Sequence, residues 1–156
     1  MGLEVNKTKQ RTLRAPRTSG PTPAVLAWLR LARVFAKVDR ASAQHLRQWG
    51  LSVAQFDVLA QVGAAEGLSQ QDLAAKLLVT KGNVTQLLDR MQRDGLIVRC
   101  QEGRTNCLFL TEKGRRLFDA VVPAQEALIA ARFAPLSSEE QLQLLKLLRT
   151  LDHTLG

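Results

Sequence analysis

Between Ser69 and Leu96 the chain reads SQQDLAAKLLVTKGNVTQLLDRMQRDGL and gathers Lys81, Asn83, Thr85, Gln86, Arg90 and Arg93. These side chains donate to phosphate oxygens or reach base edges. Among them Val84, Leu87, Leu88 and Met91 recur at i, i+3, i+4 and i+7, one apolar stripe at the helical period. A helix of this kind seats its apolar side on a protein body and offers its polar side to a groove. Ser69, Gln70 and Thr80 stand where this helix and the one before it begin, positions at which hydroxyl and amide groups cap helices or touch phosphates. Past the second helix, Gly103 and Arg104 lie between two strand-like runs, Leu96–Arg99 and Asn106–Leu110. Gly103 at the first central position suits a type II′ hairpin turn, which carries Arg104, Thr105 and Asn106 at its tip. An arginine there suits a minor groove, where negative potential is focused.

The two cysteines belong to the same hairpin. With the turn at Gly103–Arg104, Cys100 and Cys107 face each other directly across the strands. Antiparallel partners stand about 4.5 to 5.5 Å apart at Cα, within disulfide reach. Two readings follow: reduced thiols filling small strand positions, or a redox pair that stiffens or distorts the hairpin. Catalysis and metal binding find little footing. His45 and His153 are far apart, the cysteines lack a second pair at ligand spacing, and no glycine-rich phosphate loop, metalloprotease signature or nucleophile elbow occurs, so neither an enzyme nor a cofactor is expected.

Around this unit the pattern is helical. Thr22–Pro23 opens a helix that runs to about Gln48 and ends at Gly50. Ser52 with Gln55 forms a capping box ahead of Phe56, Val58, Leu59 and Val62, and Ser69 with Asp72 opens the next helix in a similar way. Leu78 and Val79 form the turn into the helix capped by Thr80, and Gly95 after Asp94 ends it. Thr111 caps a long helix to about Phe133, which Pro123 should kink or interrupt. Ser137 with Glu140 opens the last helix, whose Leu142, Leu145, Leu148, Leu151 and Leu155 make a surface too apolar for a lone terminal helix. Together with Leu26, Leu29, Leu128 and Phe133 they point to a two-fold dimer interface.

In this order the motifs resemble the MarR family of winged helix-turn-helix transcriptional regulators. The likeness runs from about Pro23 to the C-terminus. It is carried by Leu73-Ala74, Val79, Val84-Thr85, Leu88-Asp89-Arg90, Asp94-Gly95-Leu96 and the hairpin exit Leu110-Thr111-Glu112-Lys113-Gly114. The family's wing has an acidic residue, any residue, then arginine, matched by Glu102, Gly103 and Arg104, so Glu102 and Arg104 are expected to form an ion pair. Glu102 stands where Asp is more usual, the wing is shorter than typical, and Leu78 stands at a turn position where the family often has glycine. The resemblance implies a mainly α fold with a small β wing, and N- and C-terminal helices forming a dimerisation domain. The divisions are a basic arm at 1–20, a dimerisation helix at 21–50, the DNA-binding unit at 51–116 and C-terminal dimerisation helices at 117–156. It also implies a homodimer on a pseudo-palindromic operator, with recognition helices roughly 34 Å apart in successive major grooves. Members of the family respond to small molecules, often aromatic acids. Trp28, His45, Trp49, Phe56 and Phe118, with Arg33 or Arg115 to meet the acid, are candidates for such a pocket, although aromatic residues at helical spacing more often fill a core. Asp89 beside Arg90 reads as an orienting ion pair at the DNA surface.

Charge points to the same partner without the family. The chain carries 22 Lys and Arg against 14 Asp and Glu, a formal +8. The excess lies in the first 20 residues, where Lys7, Lys9, Arg11, Arg14 and Arg17 face Glu4, and in Ser69–Arg116, which holds nine basic residues against five acidic; the remainder is neutral. That distribution is the footprint of a polyanion partner. At 156 residues and 46% hydrophobic the chain is long enough for one domain with a real core. Its apolar stretch from Ala24 to Val38 is interrupted by Arg30, Arg33 and Lys37, so a soluble cytoplasmic protein without a membrane partner is expected. Two other classes remain open: a non-specific nucleic-acid-binding protein driven by charge alone, and a winged helix serving as a protein-interaction module.

Overall fold

The computed structural model describes residues 20–77 and 81–156. The arm expected over the first residues, the turn at Leu78 and Val79 and the Thr80 cap lie outside the described residues, as do the side chains of Lys81 and Gly82. Two compact units divide within the first helix, between Val34 and Phe35.

In chain order the elements are α1 (Pro23–Arg47), α2 (Val53–Ala64), β1 (Leu68–Ser69), α3 (Gln70–Lys76), α4 (Lys81–Arg93), β2 (Ile97–Glu102), β3 (Thr105–Leu110), α5 (Glu112–Phe133) and α6 (Ser138–Leu155). The capping residues act as their spacing requires. Ser52 and Gln55 exchange both hydrogen bonds of a capping box at α2, and Ser137 and Glu140 do so at α6. At α3 only half of the box forms. Ser69 Oγ accepts from the Asp72 amide at 3.0 Å and donates to the Asp72 carboxylate at 2.6 Å. The Ser69 backbone is engaged instead in a strand that the sequence did not reveal, β1, which pairs with β3 through Ser69↔Cys107 and Leu68↔Leu108.

The sheet is three-stranded and antiparallel in the order β1-β3-β2. β2 and β3 pair from Ile97↔Leu110 to Glu102↔Thr105, leaving Gly103 and Arg104 as the two turn residues. Gly103 adopts φ +61°, a conformation costly for any residue with a Cβ, and this lets so short a turn close. Strand alternation puts Ile97 and Leu108, both fully buried, on the face toward the helices. They join Leu46, Val58, Leu59, Val62, Leu73, Val84, Leu88, Met91 and Val121 in one core.

Pro123 does not interrupt α5, which runs unbroken to Phe133. Proline forfeits one backbone hydrogen bond and crowds the preceding turn, at about 3 kcal/mol. Val121 and Gln125, on either side of it, are both buried and hold the helix through that point. The N-terminus of α5 is locked to the wing. Thr111 Oγ1 accepts from the Gly114 amide at 2.9 Å and donates to the Gly95 carbonyl at 2.6 Å, while the Thr111 amide donates to the Leu96 carbonyl at 3.1 Å.

Among the described residues no helix is long and apolar enough to cross a membrane.

Candidate nucleic-acid interface

α4 is divided as its sequence demands. Val84, Leu88 and Met91 have no exposed surface, Leu87 is half-buried, and Asn83, Thr85, Gln86, Arg90 and Arg93 stand in solvent. Asn83, Gln86, Arg90 and Arg93 line a shallow groove of 490 Å³ together with Leu87 and Asp89. Two basic residues, Arg90 and Arg93, fall in the last turn, where the negative end of the helix dipole favours cations.

α3 fixes the pitch of α4 from the side. Gln70 Nε2 donates to Thr85 Oγ1 at 3.0 Å, so two residues expected to touch DNA also hold the two helices together. Ser69 is committed to capping α3. At the far side of the unit Arg104, Thr105 and Asn106 are all exposed at the end of the wing, with Glu102 beside them.

Two expected ion pairs are replaced. Asp89 pairs with Arg99 on β2, Nη1 to Oδ1 at 2.6 Å, and not with its neighbour Arg90. Adjacent helical residues diverge by about 100° around the axis, so Arg90 turns outward while Asp89 turns toward the sheet. Glu102 forms no ion pair with Arg104; its carboxylate lies by the Cys107 thiol and helps to push it up. Both lie on one face of the hairpin, diagonal across the strands, whereas Arg104 sits in the turn where that alternation ends.

Arg99 is a functional residue that the sequence reading missed. Beyond Asp89 its guanidinium donates to Gln92 Oε1 and to the Thr85 carbonyl, each at 3.3 Å, while its Nε is buried without a partner. One side chain from the base of the wing therefore clasps three residues spread over two turns of α4. A signal was available: Arg99 shares the inward face of its strand with Ile97, and a charge at such a position demands partners.

The cysteines face each other at Cys100↔Cys107, and both are free thiols. Cys100 is exposed and Cys107, on the central strand of the sheet, is buried. Burial pushes the Cys107 thiol up, with the Glu102 carboxylate and Cys100 adding to the effect.

The residues suggested for an acid-binding pocket divide. Trp49 lines a cleft of 570 Å³ with Leu51, Leu96, Leu117, Lys113 and Arg116. His45 is turned to the Gln125 side chain at 2.9 Å and meets the edge of Trp49 at a ring separation of 6.5 Å. Arg115 does not line this cleft: it pairs with Glu66, donates to the Gly63 carbonyl and lies over the Phe118 ring at 5.1 Å. Phe56 and Phe118 pack against the core. Trp28 and Arg33 are exposed on the 20–34 unit. The cations at the Trp49 cleft are instead Lys113, which donates to the Asp94 carbonyl at 2.8 Å, and Arg116, paired with Glu112 at 2.7 Å.

The dimer candidates are uncovered to differing degrees. Leu26, Leu29, Leu142, Leu145 and Leu151 are exposed, and Leu128, Phe133 and Leu148 are half-buried.

Comparison with known proteins agrees with this geometry. The sequence model of the MarR family matches residues 49–105. An HTH-type transcriptional regulator of Bacillus cereus is 36% identical over 128 residues, covering 82% of this chain and 87% of the relative. AbsC, a MarR family transcriptional regulator from Streptomyces coelicolor, shares the fold at a TM-score of 0.79 and 24% identity, covering 88% of this chain and 98% of its own. MepR of S. aureus, in a structure with DNA, superposes at a TM-score of 0.74 and 25% identity over 88% of this chain and all of its own. A chain that is 36% identical to an HTH-type regulator over most of both chains, and that folds as these structures do, belongs to the MarR family of DNA-binding transcriptional regulators.

Proposed function

We propose that the protein is a repressor that binds a pseudo-palindromic operator as a two-fold homodimer. MarR proteins are DNA-binding regulators and not enzymes, and this chain is one of them. The observation that carries the reading is the division of α4: a polar face of Asn83, Gln86, Arg90 and Arg93 over a stripe in which Val84, Leu88 and Met91 have no exposed surface. In the proposed complex Asn83, Thr85 and Gln86 read base edges in the major groove, Arg90 meets a phosphate or base edge, and Arg104 enters the flanking minor groove with Thr105 and Asn106 beside it. Lys81, at the start of α4, contributes a phosphate contact. The MepR–DNA structure supports the choice of a duplex as partner. A DNA partner also implies a cytoplasmic location.

Release completes the reading. The Trp49 cleft, apolar at Leu51, Leu96 and Leu117 and cationic at Lys113 and Arg116, suits a small aromatic acid, and the wing thiols suit an oxidant. Titration calorimetry with a panel of aromatic acids, repeated on Trp49→Ala, tests the first.

Fluorescence anisotropy on the protein's own upstream duplex and on a scrambled duplex, across a range of salt, tests the whole. The operator should bind more tightly than the scrambled DNA, and log Kd should rise linearly with log salt. Arg104→Ala should weaken operator binding by about 1 to 3 kcal/mol. Equal affinity for the two duplexes would support charge-driven packaging, and absence of salt-dependent binding would support a protein-interaction module.

A further inference from the structure

The wing holds a dithiol. Cys100 and Cys107 are direct cross-strand partners, two rungs below the Gly103–Arg104 turn. Directly opposed residues of an antiparallel pair rise from the same face with Cα atoms about 4.5 to 5.5 Å apart, which is the separation a disulfide spans. Alternation puts this pair on the opposite face of the hairpin from Arg99 and its clasp on α4. Cys100 is open to solvent, whereas Cys107 is covered. Cys100 is therefore the thiol that meets a solute, and Cys107 is the thiol that waits.

From this juxtaposition we infer that Cys100 and Cys107 are a hydroperoxide-reactive pair that closes a disulfide across the wing and weakens its grip on DNA, an inference that rests on the DNA-binding reading above. The Cys100 thiolate, having given its proton to solvent, attacks the peroxide oxygen; an S–O bond forms, the O–O bond breaks, and the hydroxide or alkoxide that leaves takes up a proton from solvent as water or an alcohol, so Cys100 becomes a sulfenic acid. The Cys107 sulfur then attacks the Cys100 sulfur; the S–S bond forms, the S–O bond breaks, and the Cys107 proton passes to the departing hydroxide, which leaves as water. Two thiols have lost two electrons and two protons, and one peroxide has gained them.

One consequence reaches the tip. A disulfide requires a torsion near a right angle about its S–S bond, so closure sets the twist between β2 and β3 at one rung and removes the freedom to fit the groove. Arg104 sits at the end of the same two strands, so the constraint at the Cys100–Cys107 rung is passed to the tip.

The test uses the full-length protein, reduced or treated with hydrogen peroxide. Intact mass should show each chain lighter by two hydrogens, and a non-reducing gel should show no covalent pair of chains. Operator Kd should rise by about tenfold, equivalent to about 1.4 kcal/mol, and return on addition of a dithiol reductant. Cys107→Ala should stop at a trappable sulfenic acid on Cys100 and keep its affinity. Cys100→Ser, at an exposed position and checked for an unchanged melting temperature, should be indifferent to peroxide. Failure to form the disulfide, a disulfide between two chains, or a closed disulfide with unchanged affinity would each overturn the inference. Reduced protein that ignores its operator would instead overturn the DNA-binding reading, while the mass measurement would still decide the dithiol chemistry.

Discussion

Arg99 ties the base of the wing to α4. Its guanidinium holds Thr85, Asp89 and Gln92, with the side chain four-fifths covered, so it bears on the angle between α4 and the hairpin. Arg99→Met should cost about 1 to 3 kcal/mol of stability, because acceptors on α4 lose a charged donor. A double-mutant cycle with Asp89→Asn, read by urea denaturation, should give a coupling above about 0.5 kcal/mol. Arg99→Lys should recover only part of it, since an ammonium lacks the planar fork that carries donors on two separated nitrogens. A second residue-scale expectation concerns pH. Burial raises the Asp57 carboxyl above its ordinary value, with the Asp39 carboxylate adding to the shift. The folded protein therefore binds this proton more tightly than the unfolded chain does, and the Asp57 contribution to stability falls as pH rises from the ordinary carboxylate range through the raised value. Asp57→Asn should melt higher than the parent at neutral pH, by a margin that shrinks as the solution is acidified; a margin constant with pH would contradict this.

Among the elements, helix starts were readable because a capping box is a local device: Ser52 with Gln55 and Ser137 with Glu140 work within one turn of chain. β1 was not readable, because its two residues become a strand only by lying along β3. Close approaches between elements were likewise invisible. A Cβ on Gly114 would run into the carbonyl oxygen of Leu96, and one on Gly63 would run into the Phe118 ring. A backbone carbonyl anchored by the Thr111 amide cannot yield, whereas a ring can turn. Gly114→Ala should therefore cost about 1 to 3 kcal/mol, at the range of overpacking, and Gly63→Ala less. Chemical denaturation of the two variants checks the order.

For the molecule as a whole, apolar surface is left uncovered. α6 buries none of its residues within the chain, and Leu142, Leu145, Leu147, Leu151 and Leu155 are between 42% and 86% exposed. The 20–34 unit leaves Val25, Leu26, Trp28, Leu29 and Leu31 exposed as well. The homodimer proposed above would cover these surfaces, and the proposed pseudo-palindromic operator would share its two-fold symmetry. Leu145→Glu combined with Leu151→Glu should yield a folded monomer in sedimentation velocity that has lost most of its operator affinity. A variant that remains dimeric would move the interface elsewhere.

The sequence alone determined the helix-turn-helix, its polar and apolar faces, the register of the wing and the cysteine pairing, because each follows from a period of 3.6 or 2 or from a turn of two residues. Only the tertiary structure decided which partners the charges choose. Asp89 looks past Arg90 to Arg99, Glu102 looks past Arg104 to Cys107, and Arg115 is taken by Glu66. Periodicity says which way a side chain points, but an ion pair depends on what another element brings within reach, and that is settled by how helices and sheet pack on their common core.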